Sequence, residues 1–147
     1  TLDLDGITVA DMFCGTGALG LEAMSRGAAF GVFADRNPQH LKIAKDNAAA
    51  MGLWRECLML GLDCTHLAVP PRAAKTPAAL VFLDPPYGMG MADPALRGLL
   101  NKNWLTPDAT VVVEVGAEES LAGTRGFEVL DERIYGAAKV YFLKRLE

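Results

Sequence analysis

The most constraining feature of the sequence is an apolar run, Thr8-Val9-Ala10-Asp11-Met12-Phe13, that leads without a linker into Cys14-Gly15-Thr16-Gly17-Ala18-Leu19-Gly20. The run has the length of one strand, and the glycines supply a tight turn. Apolar residues then recur at Ala18, Leu19, Leu21, Ala23 and Met24, a helical period that Gly27 closes. Strand, glycine turn and helix in that order predict the first unit of a doubly wound α/β sheet, with a ligand at the turn. Glycine lets backbone approach that ligand closely.

The same alternation continues. Phe30-Gly31-Val32-Phe33-Ala34 reads as a second strand, with Asn37 and Pro38 as N-cap and first residue of a helix whose face carries Leu41, Ala44, Ala48 and Met51. Glu56 to Leu60 can form a third strand. Prolines 70, 71 and 77 mark an irregular stretch. Ala78 to Leu83 is continuously apolar, as expected of a parallel strand covered on both faces. Asp93-Pro94 is read as the cap of a helix through Leu100, and Thr106-Pro107-Asp108 as a turn into the strand Thr110 to Val115. Phe127 to Ile134 and Lys139 to Leu143 read as two strands joined around Tyr135-Gly136, a terminal hairpin adding an antiparallel strand at one edge. The expected fold is therefore α/β, a mostly parallel, Rossmann-like doubly wound sheet with a C-terminal antiparallel hairpin.

A chain of 147 residues fits one domain, expected over 1–147, since a second would lack a core. Its apolar share of 51% argues against disorder. Apolar runs are far shorter than the roughly 20 residues that cross a bilayer, and no leader-like segment opens the chain, so the expectation is a cytoplasmic protein with no membrane partner. Cys14, Cys57 and Cys64 are odd in number and lack C-x-x-C spacing, which disfavours a disulfide framework or a zinc site; Cys14 and Cys57 are expected to be buried as small hydrophobes. A net charge of −4 counts against a nucleic-acid partner, whose phosphates attract Lys and Arg.

Gly15 to Gly20 matches G-x-G-x-x-G, and Asp35 ends the next strand 20 residues beyond Gly15. A carboxylate there can accept both ribose hydroxyl hydrogens, so an adenosine-bearing cofactor is implied, but the spacing fits NAD as well as S-adenosylmethionine. Asp11, four residues ahead of Gly15, favours the second: a carboxylate suits the ammonium of a methionine moiety and would repel a pyrophosphate. Asp63, after the third strand, can accept from an adenine amino group or serve as a turn residue.

Asp84-Pro85-Pro86-Tyr87 ends the fourth strand, on the carboxyl edge where α/β ligands bind. The lone pair of a nucleobase amino group is delocalised into its ring. Acceptors on both N–H bonds favour a tetrahedral nitrogen with the lone pair aimed at an incoming methyl group. The Asp84 carboxylate and the Pro85 carbonyl can supply them. Residues before proline are driven to extended conformations, so the loop should be stiff, and Tyr87 offers a ring on which an extruded base can stack. No metal is required. His40 and His66 are read as surface or packing residues, and Trp54 and Trp104 as packing residues rather than base platforms.

The stretch Asp11 to Ala28, with Asp84-Pro85-Pro86-Tyr87, resembles the RsmD-type bacterial methyltransferases that modify guanine N2 in small-subunit (16S) ribosomal RNA. The Leu-Gly-Leu-Glu-Ala-x-Ser-Arg-Gly-Ala continuation at 19–28 is the more specific part, because Asp-Pro-Pro-Tyr is shared with adenine-N6 DNA methyltransferases. Glu114 and the segment around Tyr135-Gly136 also match. The resemblance implies S-adenosylmethionine as cofactor, lined by Asp11, Phe13, Gly15 and Gly17 with Thr16 in the same turn. It places the ribose at Asp35 beside Arg36 and the adenine at Asp63 beside Cys64, and it gives Asp84, Pro85, Pro86 and Tyr87 the guanine amino group. It implies ribosomal RNA or the small ribosomal subunit as partner, and a monomer. The family normally carries a basic N-terminal extension, whereas here residue 1 lies a few positions before the first strand, so a form lacking it is expected. A DNA adenine methyltransferase remains the alternative, and a nicotinamide-dependent oxidoreductase a more remote one that leaves Asp84-Pro85-Pro86-Tyr87 without a role.

Overall fold

The computed structural model describes residues 3–146, so residues 1, 2 and 147 of the expected domain lie outside the described residues. The elements in chain order are β1 (Thr8–Met12), α1 (Ala18–Ser25), β2 (Phe30–Asp35), α2 (Pro38–Ala50), β3 (Cys57–Gly61), β4 (Ala78–Leu83), α3 (Ala92–Asn101), β5 (Leu105–Gly116), β6 (Phe127–Tyr135) and β7 (Ala138–Arg145). The strands form one seven-stranded sheet in the order β3-β2-β1-β4-β5-β7-β6. The first five run parallel; β7 pairs antiparallel with both β5 and β6. The doubly wound α/β architecture is thus the expected one.

Two apolar layers sandwich the sheet. On one face Val9, Phe33 and Leu80 meet Leu21 and Met24 of α1 and Ala44 and Ala48 of α2. On the other, Met12, Val32, Val81 and Val113 meet Leu96 and Leu99 of α3 and the buried Trp104. Strand residues contribute to both layers, which is why their sequences read as continuous apolar runs rather than as alternation. Trp104 is anchored by donating from Nε1 to the Ala68 carbonyl at 2.9 Å, since a buried indole N–H needs an acceptor. No helix of the described residues is long and apolar enough to cross a membrane.

Three local expectations are corrected. Asp93 lies inside α3, whose N-cap is Met91, and its carboxylate instead accepts from the amides of Ala122 and Gly123. Residues 106–108 belong to β5, which passes through them by a register shift against β4 between Ala78 and Leu80; such a bulge bends a strand without ending it. The hairpin adds two strands, with its second strand, β7, inserted next to β5 and β6 left at the edge. A register shift also interrupts β6 between Val129 and Asp131. Bulges and charged side chains on an edge strand hinder further pairing.

Candidate active site

The strand register assembles the site. Met12, the last residue of β1, pairs with Ala34 on one side and Leu83 on the other, and Leu83 pairs with Val113. The residues that follow, Phe13, Asp35 and Asp84, and Glu114 after Val113, therefore emerge side by side on the carboxyl edge. Asp35 pairs with Gly61, which brings Asp63 to the same edge. The order of the sheet reverses between β1 and its neighbours β2 and β4, and such a switch point leaves a crevice. A cleft of about 710 Å³ occupies it.

The backbone of Phe13 and the side chains of Asp35 and Asn47 shape the glycine turn. Phe13 has a positive φ of 59°, a conformation costly for a bulky residue, which turns the chain out of β1. Asp35 fixes the turn from β2: its Oδ2 accepts from the Gly15 amide at 3.1 Å and its Oδ1 from the Asn37 amide at 2.9 Å. Asn47 of α2 donates to the Thr16 carbonyl at 2.9 Å. Gly20 allows α1 to lie against the sheet, because a Cβ there would come within 2.7 Å of the Phe33 ring and 3.0 Å of Asp11 Cβ. That close approach lets the Gly20 amide donate to Asp11 Oδ2 at 2.9 Å.

Asp11 is 2% exposed and makes no salt bridge among the described residues. Burial raises its pKa from 3.8 to about 7; the Gly20 hydrogen bond opposes the rise, and the charges of Asp84 and Asp35 add to it. Asp84 opens onto the cleft. Partial desolvation, then the charge of Glu114, raises its pKa to about 6. Tyr87, 47% exposed, donates its hydroxyl to Glu114 Oε2 at 2.6 Å, and this bond leads the causes that push the phenol up to about 12.

Asp63 takes the turn geometry that the sequence left open. Its Oδ1 accepts from the Thr65 amide at 2.9 Å and the Thr65 hydroxyl at 2.6 Å, bonds that pull its pKa down to about 2. The Asp63 side chain nonetheless lines the cleft. Burial pushes the Cys64 thiol up to about 12 and the Cys14 thiol higher still, while Cys57 is half-buried with its thiol at about 11. Among the described residues no group of three or more His, Cys, Asp or Glu side chains is arranged to hold a metal ion.

Of the expected site residues, Asp11, Phe13, Gly15, Thr16, Asp35, Arg36, Asp63, Cys64, Asp84, Pro85, Pro86 and Tyr87 line this one cleft. Gly17 does not: it caps α1 with φ 77° and faces inward, against Ala44 and Phe33. Ala18, Leu19, Asn37, His40, Met91 and Glu114 line it without having been singled out as contacts. The His40 ring nitrogen Nδ1 lies 3.2 Å from Asp35 Oδ2, so the exposed His40 also forms part of the cleft wall, a place the sequence reading did not give it. The helix start at Pro38 was a readable signal for this, because the first turn of α2 brings residue 40 back over Asp35. Trp54 is a further correction: it is 50% exposed, with Lys45 Nζ 5.6 Å from its ring centre, and not a packed residue.

Residues 2–144 match the sequence family described as conserved hypothetical protein 95. The chain belongs to this family. It is 30% identical over 137 residues to the ribosomal RNA small subunit methyltransferase D of Haemophilus influenzae, covering 86% of this chain and 65% of that protein. A solved Haemophilus influenzae structure superposes with a TM-score of 0.84 at 27% identity, over 98% of this chain and 89% of that one. An RNA methyltransferase of Salinibacter ruber, solved in complex with S-adenosyl-L-homocysteine, shares the fold with a TM-score of 0.66 at 20% identity, over 99% of this chain and 85% of that one. Family and fold are those of the RsmD-type methyltransferases.

Proposed function

We propose that this cleft binds S-adenosylmethionine and transfers its methyl group to the exocyclic N2 amino group of a guanine in small-subunit ribosomal RNA. The observation that carries the reading is the charge of the cleft wall. Five carboxylates, Asp11, Asp35, Asp63, Asp84 and Glu114, line it against Arg36 and His40 as the only basic side chains among the described residues. A wall of that sign suits a cofactor bearing a sulfonium and an ammonium, and repels the pyrophosphate of a dinucleotide. The buried Asp11, with no cation partner among the described residues, fits such a cofactor best, since an ammonium would offset the cost of burying its charge. The cofactor name on the Salinibacter ruber structure and the name of the Haemophilus influenzae relative point the same way.

The bound cofactor would supply an electrophilic methyl group on sulfur. Asp11 would hold the ammonium end, with the Gly20 amide fixing one of its oxygens. Asp35 Oδ1, which accepts from the Asn37 amide alone, retains a lone pair for a ribose hydroxyl, while Oδ2 already faces the Gly15 amide and His40 Nδ1. Asp63 and Cys64 would lie at the adenine. Asp84 and the Pro85 carbonyl would accept from the two N–H bonds of the guanine amino group, favouring a tetrahedral nitrogen, and Tyr87 would stack on the extruded base. With a pKa of about 6, Asp84 is ionised near neutral pH, the state in which it accepts from an amino group without donating.

The test offers tritiated S-adenosylmethionine with unmethylated small ribosomal subunits, free 16S ribosomal RNA or unmethylated DNA, alongside calorimetric titration with S-adenosylmethionine and with NAD. Label in the RNA or the subunit, and heat from S-adenosylmethionine alone, are expected. Label only in DNA would transfer the assignment to an adenine methyltransferase, and heat only from NAD would remove methyl transfer altogether.

A further inference from the structure

Tyr87 presents a problem that the motif does not solve. The ring is 47% exposed, so packing around it does little to fix its orientation. A free ring would lose rotational freedom on stacking, and that loss would weaken binding of the base.

The strand next to β4 supplies the restraint. Glu114 lies in β5 between the buried Val113 and Val115, in a stretch paired on one side with β4 and on the other with β7, where Glu114 itself pairs with Val140. Its backbone is therefore held by the ladder to β7, one residue beyond the last β4–β5 pair, Leu83 with Val113. Its carboxylate reaches the Tyr87 hydroxyl at 2.6 Å, a distance typical of a charge-assisted O–H to carboxylate bond. Just beyond, the Gly116 amide donates to Glu119 Oε2 at 2.7 Å, and hydrogen bonds from the Gly88, Gly116 and Gly90 amides hold the Glu119 carboxyl below its ordinary range. Tyr87 is thus tied to the end of β5 through its hydroxyl and through the loop that follows it.

We propose that Glu114 is a positioning residue for methyl transfer, which holds the Tyr87 ring in its base-stacking orientation by the hydrogen bond to its hydroxyl and sets the charge beside Asp84. The proposal rests on the methyltransferase reading of the cleft. The titratable groups that act on or with Asp84 are Asp11 from β1, Glu114 from β5 and Tyr87 from its own loop; Asp35 and Cys14 share the cleft wall. The two actions separate by substitution. Glu114→Gln keeps an acceptor for the Tyr87 hydroxyl but removes the charge, whereas Tyr87→Phe removes the bond and leaves the charge.

The experiment has one arm that needs no activity. In protein labelled with ¹³C at the tyrosine ring, the Tyr87 resonance of the wild type is expected to titrate near 12, and in Glu114→Gln to move down towards the ordinary phenol value. In the second arm, Tyr87→Phe is expected to raise KM for RNA by roughly 5- to 20-fold, more than it lowers kcat, with the acid limb of the pH profile in place. Glu114→Gln is expected to move that limb to lower pH with a smaller change in KM. Ordinary titration of Tyr87 in the wild type overturns the contact. A normal titration shift combined with kinetics in which neither variant alters KM or the pH limb overturns the positioning role. Wild-type protein that shifts Tyr87 as expected yet methylates no nucleic acid overturns the methyltransferase reading, and the contact then stands as a structural one.

Discussion

Replacing Asp11 by asparagine should make the unliganded protein more stable and the cofactor site useless. Asp11 is 2% exposed, and its pKa rises from 3.8 to about 7 on folding. Between those values the unfolded chain has released a proton that the folded chain keeps. Stability therefore falls as pH rises from about 4 and levels off above about 7, because the unfolded state binds fewer protons. At about 1.36 kcal/mol per pH unit the full penalty approaches ~4 kcal/mol by about pH 8, against roughly 1.5 kcal/mol at about pH 5. Asparagine keeps an oxygen for the Gly20 amide, bonded at 2.9 Å in the wild type, and has no charge to desolvate. Asp11→Asn should therefore raise the thermal midpoint by roughly 5–15 °C at about pH 8, and by clearly less at about pH 5. Scanning calorimetry at both pH values, paired with titration of S-adenosylmethionine, checks it. A gain in stability with loss of binding is the expected trade between stability and function. An equal loss of stability at both pH values would refute the claim that Asp11 is a buried charge awaiting a cation.

Asp84→Ala should lower kcat by about 100-fold or more while calorimetry shows near-normal cofactor affinity, since it removes the acceptor that acts on the amino nitrogen being methylated. In the wild type, kcat should fall as pH drops through about 6, where Asp84 gains a proton and ceases to be a pure acceptor, and a flat profile down to about pH 5 would contradict this. Gly20→Ala should destabilise by about 1–3 kcal/mol in chemical denaturation, because the added methyl would stand 2.7 Å from the Phe33 ring. Trp104→Phe should cost a similar ~1–3 kcal/mol, leaving the Ala68 carbonyl without its indole donor and a gap in the core.

Much of the cleft was legible because its parts lie at the ends of consecutive strands. Once Thr8 to Phe13, Phe30 to Ala34 and Ala78 to Leu83 are read as parallel strands, Asp11, Asp35 and Asp84 must share one edge, and the observed register, Met12 beside both Ala34 and Leu83, follows that logic. What stayed hidden depends on side chains distant in sequence. The Tyr87–Glu114 bond spans 27 residues and depends on β5 lying next to β4, an order that periodicity does not report. Asn47 reaching the Thr16 carbonyl needs the pitch of α2 against the glycine turn. The facing of Gly17 was hidden for a different reason: the motif requires a left-handed residue there, and its open face meets Ala44 and Phe33 of α2 and β2. Thr106 to Asp108 looked like a turn because Pro and Asp are turn formers, and β5 accommodates them at a bulge.

The most direct measurement of the central claim identifies the product nucleoside. Unmethylated 16S ribosomal RNA, free or in small subunits, would be incubated with methyl-labelled S-adenosylmethionine and either wild-type protein or Asp84→Ala, then digested to nucleosides for mass spectrometry. Labelled N2-methylguanosine from the wild type, with little or none from Asp84→Ala, is the predicted result. Label in any other nucleoside, or equal N2-methylguanosine from both proteins, would contradict a cleft in which Asp84 holds a guanine amino group for methylation.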